Sequence, residues 1–316
     1  MRAQSSATGR TAKAVTPPHA PSSARPAGRG AGTGAGTALA LSGVFCFSLT
    51  FPSTVWGLES FGPWSLVALR GVLAAAVAGA FLLMWRVPLP DRRHWAGLAV
   101  VGGGVVIGFP LLTTLALGTS STAHAAVVVG LLPLTTALFA ALRTGRRPSR
   151  PFWAAAVAGA AVVAAFTWQQ SGGALSVGDL YLFGALLVCA AGYTEGGRLA
   201  SRMPGWQVVG WALVLCLPVT VAGSAVALAL EPVHWSAHGA VGLAWVAAGS
   251  TFLGLYVWYR GMAGIGVARA SQLQLAQPLM TLAWSYGLLG EELTWAAPLA
   301  AAGVLICIAV TQRARD

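Results

Sequence analysis

Hydrophobic and polar positions in this chain do not alternate; they come in blocks. Runs of about 20 apolar residues, the length needed to cross the hydrocarbon core of a bilayer, are separated by short connections holding arginine, glycine, proline or acidic residues. Ten such spans are predicted, at about 37–57, 63–84, 95–117, 121–142, 151–169, 178–198, 206–229, 239–259, 267–289 and 295–312. Residues 1–36 are rich in Ser, Thr, Pro, Gly, Ala and Arg and have almost no large apolar side chain. They are expected to form a disordered tail. A cleaved signal peptide does not fit, because the first apolar run is too long and begins too late.

Within this pattern the stretch 267–295, VARASQLQLAQPLMTLAWSYGLLGEELTW, carries the most information. Pro278, near the middle of the predicted span, removes a backbone donor, so the freed carbonyl must be met by packed neighbours or by a cavity. Ser271, Gln274, Pro278, Thr281 and Ser285 recur at spacings of three and four and form one polar stripe, which lipid does not accept. With Gln277 beside it, the stripe predicts the wall of a pathway; the same residue types also glue helices together, and the pattern leaves both readings open. Setting Pro278 against Pro133 without a gap aligns Ala268 with Ala123, Ala270 with Ala125, Leu279 with Leu134, Thr281 with Thr136 and Gly290 with Gly145. That is an internal repeat. Glu291 and Glu292 then fall opposite Arg146 and Arg147, the charge inversion expected of two copies inserted upside down relative to each other.

Composition places the whole chain in the membrane. Of 316 residues 56% are hydrophobic and only 9% are charged, against roughly 25% charged in a soluble domain. The fold class is therefore an all-α polytopic membrane protein. The net charge of +11 sits mostly in connections and tails, so it is a topology signal and nucleic acid is not an expected partner. Arginine occupies every second connection: Arg86, Arg92 and Arg93, then Arg143, Arg146, Arg147 and Arg150, then Arg198 and Arg202, then Arg260 and Arg269. The other connections hold no arginine and contain instead Glu59, Asp179, Glu231, Glu291 and Glu292. The bias places both termini in the cytoplasm, with five spans in each half and the second half inverted. Abundant arginine with a single lysine, Lys13, points to a bacterial, high-GC source.

Candidate chemistry is sparse. Cys46, Cys189, Cys216 and Cys307 lie in apolar segments without ligand spacing, so no metal, cofactor or disulfide is expected. A Walker A loop needs a lysine, and the one lysine is in the tail, so the chain does not bind ATP in that way. An intramembrane enzyme would need clustered acids, histidines or metal ligands, which five scattered histidines do not supply. A channel-like or scaffold subunit is the other alternative to a carrier.

The run PLTTALFAAL at 133–142, the run QPLMTLAWSYGLLGEELT at 277–294 and PWSLVALRG at 63–71 give the chain its family likeness. It resembles the EamA-type transporters of the drug/metabolite transporter superfamily, from about residue 37 to 312. The resemblance implies two inverted five-helix repeats, 37–169 and 178–312, and movement of a small organic metabolite or drug across the cytoplasmic membrane, often as efflux. Family members often carry a Gly-Glu pair after the helix in both halves; here the first copy reads Gly145-Arg146. The favoured mechanism is alternating access about a midplane cavity near Pro133 and Pro278. Partners are the solute and the lipid bilayer, with a homodimer as a possible assembly.

Further candidates lie inside the spans. Arg70 matches the family's second-helix arginine; it either faces an anionic group or is a structural arginine. His124 is a candidate proton-responsive group, or a satisfied interfacial histidine. Tyr193, Tyr256 and Trp284 lie deep enough to stack on an organic solute, with core packing as the alternative. Glu195 and Arg198, three residues apart on a helix, form a local salt bridge in the simplest reading.

Overall fold

The computed structural model describes residues 29–145, 149–170, 175–265 and 273–313. Among these residues every regular element is a helix. Eight helical stretches among the described residues are long and apolar enough to cross a membrane: Gly34–Leu58, Pro63–Met84, Arg92–Leu117, Thr122–Arg143, Arg150–Gln169, Val177–Ala200, Gly205–Leu230 and Ala237–Met262. Two shorter pieces follow, Ala276–Leu289 and Ala296–Arg313, in the region where the ninth and tenth spans are expected. The first helix begins at Arg29, so it takes in residues that the sequence pattern assigns to the tail.

Contacts between connections define two ends of the bundle. At one end Ser60 and Ser236 share a hydrogen bond of 3.0 Å between their hydroxyls, and the carboxylates of Asp179, Glu231 and Glu291 all accept from backbone amides at helix starts. This is the acidic end. At the other, Arg143 and Arg198 converge on Glu195 from two helices. This is the arginine end.

Local chemistry explains where the helices start and stop. Ser176 and Asp179 form a reciprocal capping box, which satisfies two otherwise orphaned donors at the start of Val177–Ala200. Ser121 and Ser236 cap the next helices through His124 N and Gly239 N. Two helices end on glycines in the left-handed region, Gly145 at φ 67° and Gly290 at φ 66°, where a side chain would be strained. These two glycines are an aligned pair of the internal repeat.

The same register recurs in features that periodicity does not announce. The third span changes to π-helix over Gly102–Gly108, and the eighth over Trp245–Gly254. The offset that carries Pro133 to Pro278 carries the first π segment into the second. It also carries Arg86 onto Glu231, a second inversion of charge. Close backbone approach needs glycine within these segments: a Cβ on Gly104 would lie 2.4 Å from the carbonyl oxygen of Val188. The main core, around Ala125, Val127, Val128 and Leu182, lies between the broken fourth span and its neighbours and fixes their spacing.

A cavity between two broken helices

Prolines make the site. The fourth span is not continuous: it runs as one helix, α1, over Thr122–Val129, turns at Gly130 and Leu131, and resumes as α2 over Leu132–Thr144 with Pro133 in its first turn. Where the ninth span is expected, a turn at Leu275 likewise precedes helix α3, Ala276–Leu289; the residues 266–272 before it lie outside the described ones. Pro278 therefore opens a helix in its first turn and does not kink one at its midpoint. A proline fits the first turn because its missing N–H would find no helical partner there. The carbonyls four residues earlier, on Val129 and Gln274, accordingly receive no amide hydrogen bond from these positions.

Both breaks face one cavity of about 310 Å³. Gln274, Gln277, Pro278 and Thr281 line it from one side and Pro133 from the other. Five aligned pairs contribute equivalent positions: Val129 with Gln274, Gly130 with Leu275, Leu132 with Gln277, Pro133 with Pro278 and Thr136 with Thr281. Tyr193 reaches the cavity from the sixth span, while Phe51, Phe152 and Ile308 supply apolar surface from three others. At about 30 Å³ per water, the volume is that of roughly ten waters. Thr281 donates to the carbonyls of Ser48 and Gln277, at 3.0 and 3.1 Å. The Thr136 hydroxyl is buried with no hydrogen-bond partner. Such a group is costly to leave dry, so it is available to a bound solute or water. Lower down, Arg143 on α2 reaches Glu195 at 2.8 Å, and Glu195 also holds Arg198. The local pair expected from sequence is thus part of a link between two spans.

The polar stripe of the ninth span divides. Its Gln274, Pro278 and Thr281 face the cavity, whereas Ser285 is fully buried and donates to Glu291 at 2.6 Å. Ser271 lies outside the described residues. Other candidates sit elsewhere. Trp284 donates its indole N–H to Ser48 at 2.9 Å and packs edge-on against Phe45. Tyr256 belongs to an aromatic cluster with Phe81, Trp206 and Phe252 and accepts from Arg260. Arg70 is buried, and its Nε donates to Thr251 at 2.8 Å inside the second π segment. His124 is buried and meets a fully buried Asp179 at 2.6 Å, with Phe166 stacked on its ring.

Sequence reasoning read the acidic residues as topology marks and gave them no partners. Glu231 accepts from Trp64 N, Ser65 N and Ser65 Oγ, at 3.3, 2.8 and 2.7 Å. Glu291 accepts from Thr122 N and Ala123 N at 2.8 and 3.1 Å. Each carboxylate thus caps a helix from the other half of the chain, where it is also favoured by the helix dipole. Their alternation with arginine was visible in the sequence; their partners, more than 160 residues away, were not. Among the described residues no group of three histidine, cysteine or acidic side chains could hold a metal ion. A second recess of about 390 Å³, between the second, third and seventh spans, is lined by Val67, Leu111, Val219 and other apolar side chains, with Glu231 and Trp64 among them.

Comparison with known proteins agrees with this architecture. The uncharacterized transporter YdeK of Bacillus subtilis (strain 168) is 42% identical over 274 residues, which cover 86% of this chain and 94% of that protein. A crystal structure described only as "Crystal structure of protein" superposes with a TM-score of 0.60 at 21% identity, over 88% of this chain and 96% of the other, and so shares the fold. The model of the EamA-like transporter family matches twice, at residues 34–168 and 176–312. With two copies of that unit covering most of its length, this chain belongs to the EamA-like transporter family, whose members are membrane transporters.

Proposed function

We propose that the protein is a secondary transporter that carries a small organic solute through the 310 Å³ cavity by alternating access, in the direction of export. In this reading ten spans form two inverted five-helix repeats, with the arginine end and both termini at the cytoplasmic face of the cell membrane. The observation that carries it is the pairing of the two proline-broken helices around one cavity, with the same five repeat positions contributed by each. Broken helices at a repeat interface offer freed backbone carbonyls to a solute and allow either end to open around a fixed site. Gln274 and Gln277 supply amides that both donate and accept, and Tyr193, Phe51 and Phe152 cover apolar surface.

Counterflow in proteoliposomes tests the proposal. Vesicles preloaded with an unlabelled candidate metabolite should accumulate the labelled compound transiently and saturably. Flux that rises linearly with concentration and shows no counterflow would establish a pore and overturn the carrier reading.

A further inference from the structure

Glu291, the acid of the Gly-Glu pair that follows the helix in the second repeat, joins the two cavity helices to each other. It follows Gly290, whose left-handed conformation turns the chain back at the end of α3. One oxygen accepts from Thr122 N at 2.8 Å; the other accepts from Ala123 N at 3.1 Å and from Ser285 Oγ at 2.6 Å. Thr122 and Ala123 begin α1, which leads into the Pro133 break; Ser285 lies on α3, which leads out of the Pro278 break. One carboxylate therefore holds the acidic ends of both walls together.

We infer that Glu291 is a positioning residue of the transport cycle, a clasp that keeps the cavity closed at the acidic end and is released when that end opens. Three observations carry this. The contact is polar, so water entering an opening gap can satisfy the carboxylate and the two amides separately; the clasp can part and re-form, whereas an apolar seal would expose surface. The repeat does not duplicate the carboxylate: the aligned position of the first repeat is Arg146, a side chain that has no acceptor to offer backbone amides. The ion pair at the arginine end is a different contact, between Arg143 and Glu195. Finally, the chain contains its own comparison: Glu231 caps the second span in the same way, but no residue of Pro63–Met84 lines the cavity. The two carboxylates have similar bonds and differ in whether the helix they hold borders the pathway.

The test rests on the carrier reading and its orientation and reads accessibility, so no substrate is needed. In a variant with its four native cysteines replaced, Ala126→Cys places a thiol at a cavity-lining residue that is 4% exposed. Its rate of reaction with an impermeant methanethiosulfonate is measured from outside in intact cells and from the cytoplasmic face in inverted vesicles. Glu291→Gln keeps the size and removes the charge, and should raise the outside rate at least threefold while lowering the cytoplasmic rate. Glu231→Gln should leave both rates within a factor of two, even where the folded fraction falls as far as it does with Glu291→Gln. Equal rises on both faces, or an equal rise with Glu231→Gln, would mark Glu291 as general structural support and overturn the inference. Unchanged rates in folded Glu291→Gln would do the same. A rise on the cytoplasmic face alone would keep the clasp and overturn the orientation, which separates the two readings.

Discussion

The His124–Asp179 pair gives the sharpest stability prediction. Both side chains are buried, at 5% and 0% exposure, and Nε2 lies 2.6 Å from Oδ1. His124→Leu removes the partner and leaves the carboxylate in place. Breaking a buried pair in this way costs about 3–5 kcal/mol. The lower end applies here, since Oδ2 keeps the Ser176 amide and hydroxyl, each at 2.8 Å. Losing the ring stacked on Phe166 adds about 0.5–1 kcal/mol. Asp179→Asn should cost less, about 1–2 kcal/mol, because a neutral amide is easier to bury and can still accept from Ser176. In the double variant the two losses should fall short of their sum by about 1–3 kcal/mol, since the second change removes a group already stranded by the first. The assay is thermal unfolding in detergent at one fixed scan rate, as the reaction is expected to be irreversible. At about 2–4 °C per kcal/mol, the combined loss of about 3.5–4 kcal/mol in His124→Leu should lower the midpoint by roughly 7–16 °C. His234→Leu, an exposed histidine at the same end, is the control and should change stability by less than about 0.5 kcal/mol. A midpoint for His124→Leu within 2 °C or so of the control, or strict additivity in the double variant, would refute the idea that the pair bridges the fourth and sixth spans.

Gln277→Leu and Gln274→Leu should each raise the apparent KM or change the range of compounds moved while correctly folded protein is retained; unaltered kinetics would remove these amides from the pathway. Trp235→Cys, at an exposed residue of the acidic end, should react with an impermeant thiol reagent outside intact cells, and Arg93→Cys at the arginine end should not; the reverse labelling would invert the proposed orientation. Gly104→Ala should destabilise by about 1–3 kcal/mol because its Cβ would strike backbone. Gly103→Ala, with open space around it, should be neutral or slightly stabilising, and equal midpoints for the two would contradict the packing described.

Much of the architecture is legible in the sequence alone. Blocks of apolar residues report a hydrocarbon environment directly, because each residue in a span must satisfy lipid or protein on its own account. Repeat register was legible too, since Pro133 and Pro278 or Gly145 and Gly290 impose the same backbone requirement wherever they occur. So was the polar half of the cavity, through the spacing of Gln274, Pro278 and Thr281.

What the sequence could not settle was which neighbour each polar group meets. Trp284 and Tyr193 read alike as deep aromatics, yet one is pinned to Ser48 and the other lines the cavity. Glu231 and Glu291 read as loop charges that mark a side of the membrane, and each is a cap on a helix from the other half. The π segments left no periodic signal, and the bond of Arg70 to Thr251 inside the second of them joins residues 181 positions apart. Periodicity along one helix fixes what kind of surface a residue faces. Only the tertiary structure decides, across separations of 55 to 236 residues, which partner is there to meet it.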